Sequence, residues 1–168
     1  MATYKTLDDF DPKGLRVLLR VDLNVPIRDG LVTDTTRIER VAPTIMELVR
    51  RGARVVVMSH FGRPKGKSES SMSLAPLVDP LSKALAGTRV QFADDCIGDP
   101  ASAAVGALGD GEVVLLENLR FHGAEEANDD AFAAALADLG DVYVNDAFAA
   151  AHRAHASIEG IARKLPAH

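Results

Sequence analysis

Residues able to do chemistry gather behind four apolar runs. Asp22 and Asn24 follow Leu15–Arg20, and His60 and Arg63 follow Arg54–Ser59. Glu117, Asn118 and Arg120 follow Glu112–Leu116. Asp141–Asn145 leads into Asp146, with His152 and Arg153 soon after. A guanidinium is a planar fork that matches phosphate or carboxylate. Arg63, Arg120 and Arg153 with His60 around one cavity would therefore hold a small, highly charged anion. Asp22 would repel a bare phosphate but can accept from a hydroxyl. The expected ligand is a phosphorylated hydroxy acid.

Two arginines have competing explanations. Arg37 falls in the first turn of a helix that starts after Thr33-Asp34-Thr35-Thr36. A cation there opposes the helix dipole, at a cost of about 0.3 kcal/mol or more. Either Asp34 or Glu39 pairs with it, or it reaches over the sheet edge toward a bound anion. Arg120 is the one cation between Arg89 and Arg153. A local pair with Glu117 or Glu125 is its alternative to ligand binding.

Other patterns carry less. Gly62-Arg-Pro-Lys-Gly66-Lys67-Ser68 looks like a phosphate loop, but it has three residues rather than four before the Gly-Lys pair. Pro64 also removes a backbone donor that such a loop needs. A P-loop nucleotide domain is thus a disfavoured alternative. His152 and His155 would share a helical face, yet a metal site wants a third ligand. Cys96 stands beside Asp94 and Asp95, which disfavours a thiolate. One cysteine excludes a disulfide framework and a cysteine-built zinc site. No metal ligand set is expected. His122 reads as a loop or surface residue, and Phe121, Phe132, Tyr143 and Phe148 read as core.

Parallel strands with ligand groups at their carboxyl ends would position these side chains. Five short runs rich in β-branched residues read as strands: Leu15–Arg20, Arg54–Ser59, Arg89–Phe92, Glu112–Leu116 and Asp141–Asn145. Helical patterns alternate with them. Thr35–Arg51 is apolar at Ile38, Val41, Ile45, Leu48 and Val49, with Gly52 as its stop and Pro43 expected to kink or split it. Further helices are expected over Ser73–Ala86, Pro100–Leu108, Asn128–Leu139 and Ser157–Leu165, and a mobile loop over Pro64–Ser73. The alternation implies an α/β fold: a Rossmann-like open parallel sheet with helices on both faces, in three α/β/α layers.

Composition narrows the function classes. The chain has 168 residues, 47% of them hydrophobic, enough for a real core. Residues 1–67 carry 13 Lys and Arg against 8 Asp and Glu, and residues 68–168 carry 6 against 16. The acidic second part argues against a nucleic-acid face. There is neither an apolar run long enough for a membrane helix nor an apolar signal core. A cytoplasmic protein with no membrane partner is expected.

Taken together, the motifs resemble one family. Arg20-Val-Asp22-Leu-Asn24-Val-Pro26, Ser59-His60-Phe-Gly62-Arg63-Pro64, Glu117-Asn118-Leu-Arg120-Phe121, and Asn145-Asp146-Ala-Phe148 followed by His152-Arg153-Ala-His155 look like phosphoglycerate kinase. The likeness runs from about Tyr4 to Pro166, in the family's order and spacing. Phe61, where many members have Leu, and Ala149, where Gly is usual, are small departures. The resemblance implies reversible phosphoryl transfer between 1,3-bisphosphoglycerate and ADP, giving 3-phosphoglycerate and ATP in glycolysis. It further implies that residues 1–168 are the N-terminal, 3-phosphoglycerate-binding domain. The C-terminal domain, which binds MgATP or MgADP, would be absent, leaving a monomer that is inactive alone. By motif, Asp22 and Asn24 contact the hydroxyl and carboxyl end of the substrate. Arg37 lies at the transferred phosphoryl group as the catalytic residue. His60, Arg63, Arg120 and Arg153 hold the fixed phosphate. A non-catalytic phospho-acid-binding module is the alternative.

Overall fold

A computed structural model describes residues 5–168. Its centre is a five-stranded parallel sheet built from β1 (Arg16–Arg20), β4 (Arg54–Met58), β5 (Val90–Ala93), β6 (Val113–Leu116) and β7 (Val142–Asn145). The spatial order is β5-β6-β4-β1-β7. All five lie inside or within a residue of the predicted runs. A small antiparallel hairpin, β2 (Ile27–Arg28) and β3 (Leu31–Val32), stands apart. Asp29 and Gly30 both have positive φ, 51° and 75°. That geometry suits a tight two-residue turn, for which Asp-Gly is a strong sequence signal.

Successive side chains of a strand point to opposite faces, so each buried strand feeds two cores. Val17, Leu19, Val55, Val57, Val113 and Leu115 pack on one face with Ile38, Ile45, Leu48, Leu77 and Leu81. Those partners come from α1 (Thr36–Arg50) and from α2 (Val78–Ala84) with the turn before it. Leu18, Val56, Met58, Val114 and Leu116 pack on the other face with Ala101, Val105, Phe132, Ala133 and Leu136. These belong to α3 (Gly98–Gly106) and to α5 (Asp130–Ala137), which follows the short α4 (Gly123–Glu126). The three-layer α/β/α arrangement is therefore present. Each fully buried large aliphatic contributes about 1.5–3 kcal/mol by leaving water.

Several elements differ from expectation. α1 runs unbroken through Pro43. The ring removes one backbone donor, but Pro43 and Glu39 are both exposed, so water can satisfy the Glu39 carbonyl. The helix stops as expected. Gly52 has φ +81°, its N–H donates to Val49 O at 3.0 Å, and the Ala53 N–H donates to Leu48 O at 3.0 Å. That pair of bonds is a Schellman ending. Ser157–Leu165 does not form an ordinary α-helix: Ala156–Gly160 is a π-helical turn against α5. The Pro64–Ser73 loop is irregular but tethered, with Met72 O accepting from Asn118 Nδ2 at 3.0 Å. Phe132 and Tyr143 are core, whereas Phe148 is 95% exposed. It follows the last strand, beyond the reach of either core.

Candidate functional site

The parallel sheet aligns the carboxyl ends of β1, β4, β6 and β7 along one edge, and every predicted site residue but Arg37 follows one of those ends. Arg37 comes from the first turn of α1. Buried polar groups assemble the loops. Ser59 Oγ accepts the Leu23 N–H at 3.0 Å. Asn24 Oδ1 accepts the Gly62 N–H at 3.0 Å, joining the β1 loop to the β4 loop. Asn118 Oδ1 accepts from Phe61 N at 3.1 Å and Arg120 N at 3.0 Å, while its Nδ2 donates to Phe61 O at 2.7 Å. Glu117 accepts from Ser73 Oγ at 2.6 Å and from the Leu74 and Asn118 N–H groups at 2.8 Å. Glu117 is thus a loop anchor and not the partner of Arg120.

The anion side is a cleft of ≈ 460 Å³ lined by Arg63, Lys65, Arg120, Glu126 and Arg153. Four cations face one carboxylate. Arg120 is 6% exposed and donates through Nη1 to Gly62 O at 3.2 Å. Its Nε has no hydrogen-bond partner among the described residues. The nearest anion, Glu126 Oε1, stands 3.7 Å away. Neither Glu117 nor Glu125 forms the local pair that was the alternative. Burial makes Arg120 a weaker base, as do Arg153 and Arg63, against Glu126 and Glu125; an arginine nevertheless keeps its charge.

Asp22, Arg37 and Asn24 do not line that cleft, and neither does His60, which was expected there. Asp22 and Arg37 line a neighbouring one of ≈ 270 Å³ with Arg40, Asp146 and Phe148. Asn24 and Arg37 line another of ≈ 460 Å³ with Asp34 and Arg40. Arg37 Nη1 stands 3.5 Å from Asp22 Oδ1 and donates to the Asn24 carbonyl. Asp34 is occupied instead by Thr36, and Glu39 by Thr35. Arg37 therefore reaches over the sheet edge and bonds no carboxylate of its own helix. Asp22 Oδ1 also accepts the Asn24 N–H at 3.0 Å.

His60 is 8% exposed. Its Nδ1 lies 2.8 Å from Nη2 of Arg20, a residue 1% exposed at the end of β1. Burial, then Arg20, Arg120, Arg153 and His155, push its pKa from 6.5 to about 3. Arg20 is a buried neighbour of His60 that motif reading passed over. An arginine inside an apolar strand was the available signal, because such a charge is buried only with partners.

Two other groupings are resolved. Asp95, Cys96 and His122 come within 4.8 Å of one another. His122 Nε2 meets Asp95 Oδ1 at 2.7 Å, and burial with the Asp95 charge pushes the Cys96 thiol well up. His152 lies in a turn and His155 in extended backbone, so they share no helical face. Gly62–Ser68 leads into a short 3-10 turn, Ser70–Met72, rather than a helix N-terminus. A P-loop is absent there. No helix among the described residues is long and apolar enough to cross a membrane.

Residues 7–168 match the family model described as phosphoglycerate kinase. A phosphoglycerate kinase of Bradyrhizobium diazoefficiens is 62% identical over 165 residues, covering 98% of this chain and 41% of that protein. One of Sinorhizobium medicae is 63% identical, covering 99% of this chain and 42% of that protein. The crystal structure of phosphoglycerate kinase from Pyrococcus horikoshii superposes with a TM-score of 0.87 at 38% identity, over 96% of this chain and 41% of that one. The Coxiella burnetii structure gives 0.86 at 38% identity, over 98% and 40%. The chain thus spans about two-fifths of the length of the relatives it matches.

Proposed function

Since the chain belongs to the phosphoglycerate kinase family, we propose that it supplies the 3-phosphoglycerate half of that family's reaction. Residues 1–168 act as the amino-terminal substrate-binding domain, and a nucleotide-binding domain outside this chain brings MgATP or MgADP. The observation that carries the reading is the convergence of Arg63, Lys65, Arg120 and Arg153 on one cleft, with an Arg120 Nε that has no hydrogen-bond partner among the described residues and only Glu126, at 3.7 Å, as an ion-pair partner. Such a set is electrostatically incomplete without an anion of more than one charge.

Arg63, Arg120, Arg153 and His60 hold the fixed phosphate. Asp22 accepts from the substrate hydroxyl, and Asn24 contacts the carboxyl end. Arg37 faces the carboxyl that receives or gives the phosphoryl group, where it offsets charge on the equatorial oxygens in flight. The acceptor is already a carboxylate, so no general base is needed. Alignment and charge compensation are the work required of these side chains.

The chain's own donors do not suit magnesium. That ion wants oxygen ligands in near-ideal octahedral geometry, and the carboxylates Asp22 and Asp146 share their cleft with Arg37 and Arg40. The one described cluster with metal-ligand spacing contains Cys96 and His122, softer donors than magnesium prefers. The cytoplasm is the proposed compartment and a monomer the proposed state.

Titration calorimetry of the 168-residue chain with 3-phosphoglycerate tests the reading. Binding that weakens as salt rises is expected, with no turnover in a coupled ATP assay. Absence of binding, or tight binding of ATP alone, would overturn it.

A further inference from the structure

A neutral imidazole carries its proton on one nitrogen or the other, and the choice decides what it offers a ligand. The surroundings of His60 leave a single choice. Arg20 sends three donors into a buried site: Nε to Ser157 Oγ at 3.0 Å, Nη1 to Val21 O at 2.6 Å and Nη2 to His60 Nδ1 at 2.8 Å. A guanidinium has no acceptor atom, so Nδ1 must be the acceptor and the proton must sit on Nε2. We propose that Arg20 is a positioning residue that locks His60 as the neutral Nε2–H tautomer, so that it offers the bound anion an N–H donor rather than a positive charge.

The support for Arg20 is itself built in. The Ser157 N–H donates to Glu125 Oε1 at 2.7 Å, and Glu125 is fully buried. That carboxylate favours the charged form of Arg20 against its desolvation. The π-helical turn Ala156–Gly160 supplies Ser157, so the segment beyond the last strand is tied to the end of the first. The charged and titratable groups that bear on His60 are Arg20, Arg120, Arg153 and His155. Each of them disfavours an imidazolium. His60 is 8% exposed, and its Nε2 makes no hydrogen bond among the described residues. It is the ring atom left free for a ligand. The tautomer stands independently of the ligand's identity, while its use in anion binding rests on the 3-phosphoglycerate reading.

Nitrogen-15 spectra of the histidine-labelled, ligand-free chain test the lock. The expected His60 has a bare, pyridine-like Nδ1 and a protonated, pyrrole-like Nε2, unchanged as pH falls from about 8 to about 5. A protonated Nδ1, or an imidazolium in that range, would overturn the proposal. In Arg20→Met, which fills similar length without a donor, the two nitrogens should average between the two neutral tautomers. A folded Arg20→Met chain with the wild-type pattern would remove Arg20's part. Should that variant not fold, a through-bond coupling between Arg20 Nη2 and His60 Nδ1 in the wild-type chain reads the same contact, and its absence counts against the lock. Failure of 3-phosphoglycerate to bind the wild-type chain would sink the phosphate reading and leave the tautomer standing.

Discussion

Arg120 and Arg37 are both arginines at one end of a sheet, but their surroundings give them different expected losses. Arg120 is nearly buried and its planar head joins three other cations. Hydrogen bonds to charged groups contribute about 1.5–3 kcal/mol each, so Arg120→Ala should weaken 3-phosphoglycerate binding by roughly ten- to a hundredfold. Calorimetry checks this, and an unchanged dissociation constant would show the phosphate cleft to be misassigned. Arg37 is half exposed and already partnered by Asp22. In a complete enzyme, Arg37→Ala should lower kcat far more than it raises the substrate dissociation constant; equal losses would remove its transition-state role. His60 adds a pH signature. Its folded pKa, about 3, lies below the 6.5 of the free side chain. The unfolded chain therefore binds the proton first, and stability falls as pH drops from 6.5 toward 3. The slope from this residue approaches about 1.36 kcal/mol per pH unit. Urea midpoints across that range should show a smaller slope for His60→Gln than for the wild type.

At the scale of elements, two glycines hold the scaffold for different reasons. Gly52 ends α1 with φ +81°, where an added Cβ would meet Lys13 Cγ at 3.4 Å. Space is adequate there, so Gly52→Ala should cost about 1–2 kcal/mol, the strain of a left-handed residue. Gly140 has no positive φ, but a Cβ would come within 2.5 Å of Leu18 Cγ in the middle of β1. Overpacking of that kind costs typically about 1–3 kcal/mol or more. Gly140→Ala should also displace β1, whose far end carries Arg20 and Asp22. Denaturation midpoints together with 3-phosphoglycerate affinity distinguish the two: Gly52→Ala should leave affinity unchanged, and Gly140→Ala should lower both.

At the scale of the whole molecule, the cationic cleft and the Asp22–Arg37 cleft open beyond the same sheet edge without forming one cavity. The site residues are assembled by loops that bond one another, through Asn24, Ser59, Glu117 and Asn118, before any ligand is considered. Binding of the phosphorylated acid should therefore require little reordering of this half. Hydrogen exchange of the Phe61, Gly62 and Arg120 amides should already be slow in the free chain. Rapid exchange there, slowed only by ligand, would contradict the preorganised cleft.

Much was legible from residue order alone. Strands announce themselves by short β-branched runs, and a parallel sheet turns their sequence-following loops into one edge. Asp22, His60, Arg63, Arg120 and Arg153 could be gathered on that ground before any coordinates. The end of α1 was equally plain, because few residues tolerate the conformation Gly52 adopts. Other features depend on partners distant in sequence, and periodicity carries no information about those. Pro43 stays inside a helix because it faces solvent. Phe148 is exposed because the chain has left the sheet. Arg37 pairs with Asp22 rather than with its own helix, because the β1 loop lies over the first turn of α1. The Arg20–His60 contact joins residues 40 apart, and Ser157, which steadies it, is 137 from Arg20. Local chemistry determined which side chains end up at the working edge. Only tertiary packing decided which of them are charged, which are donors and which are already paired, because burial and long-range neighbours set those states.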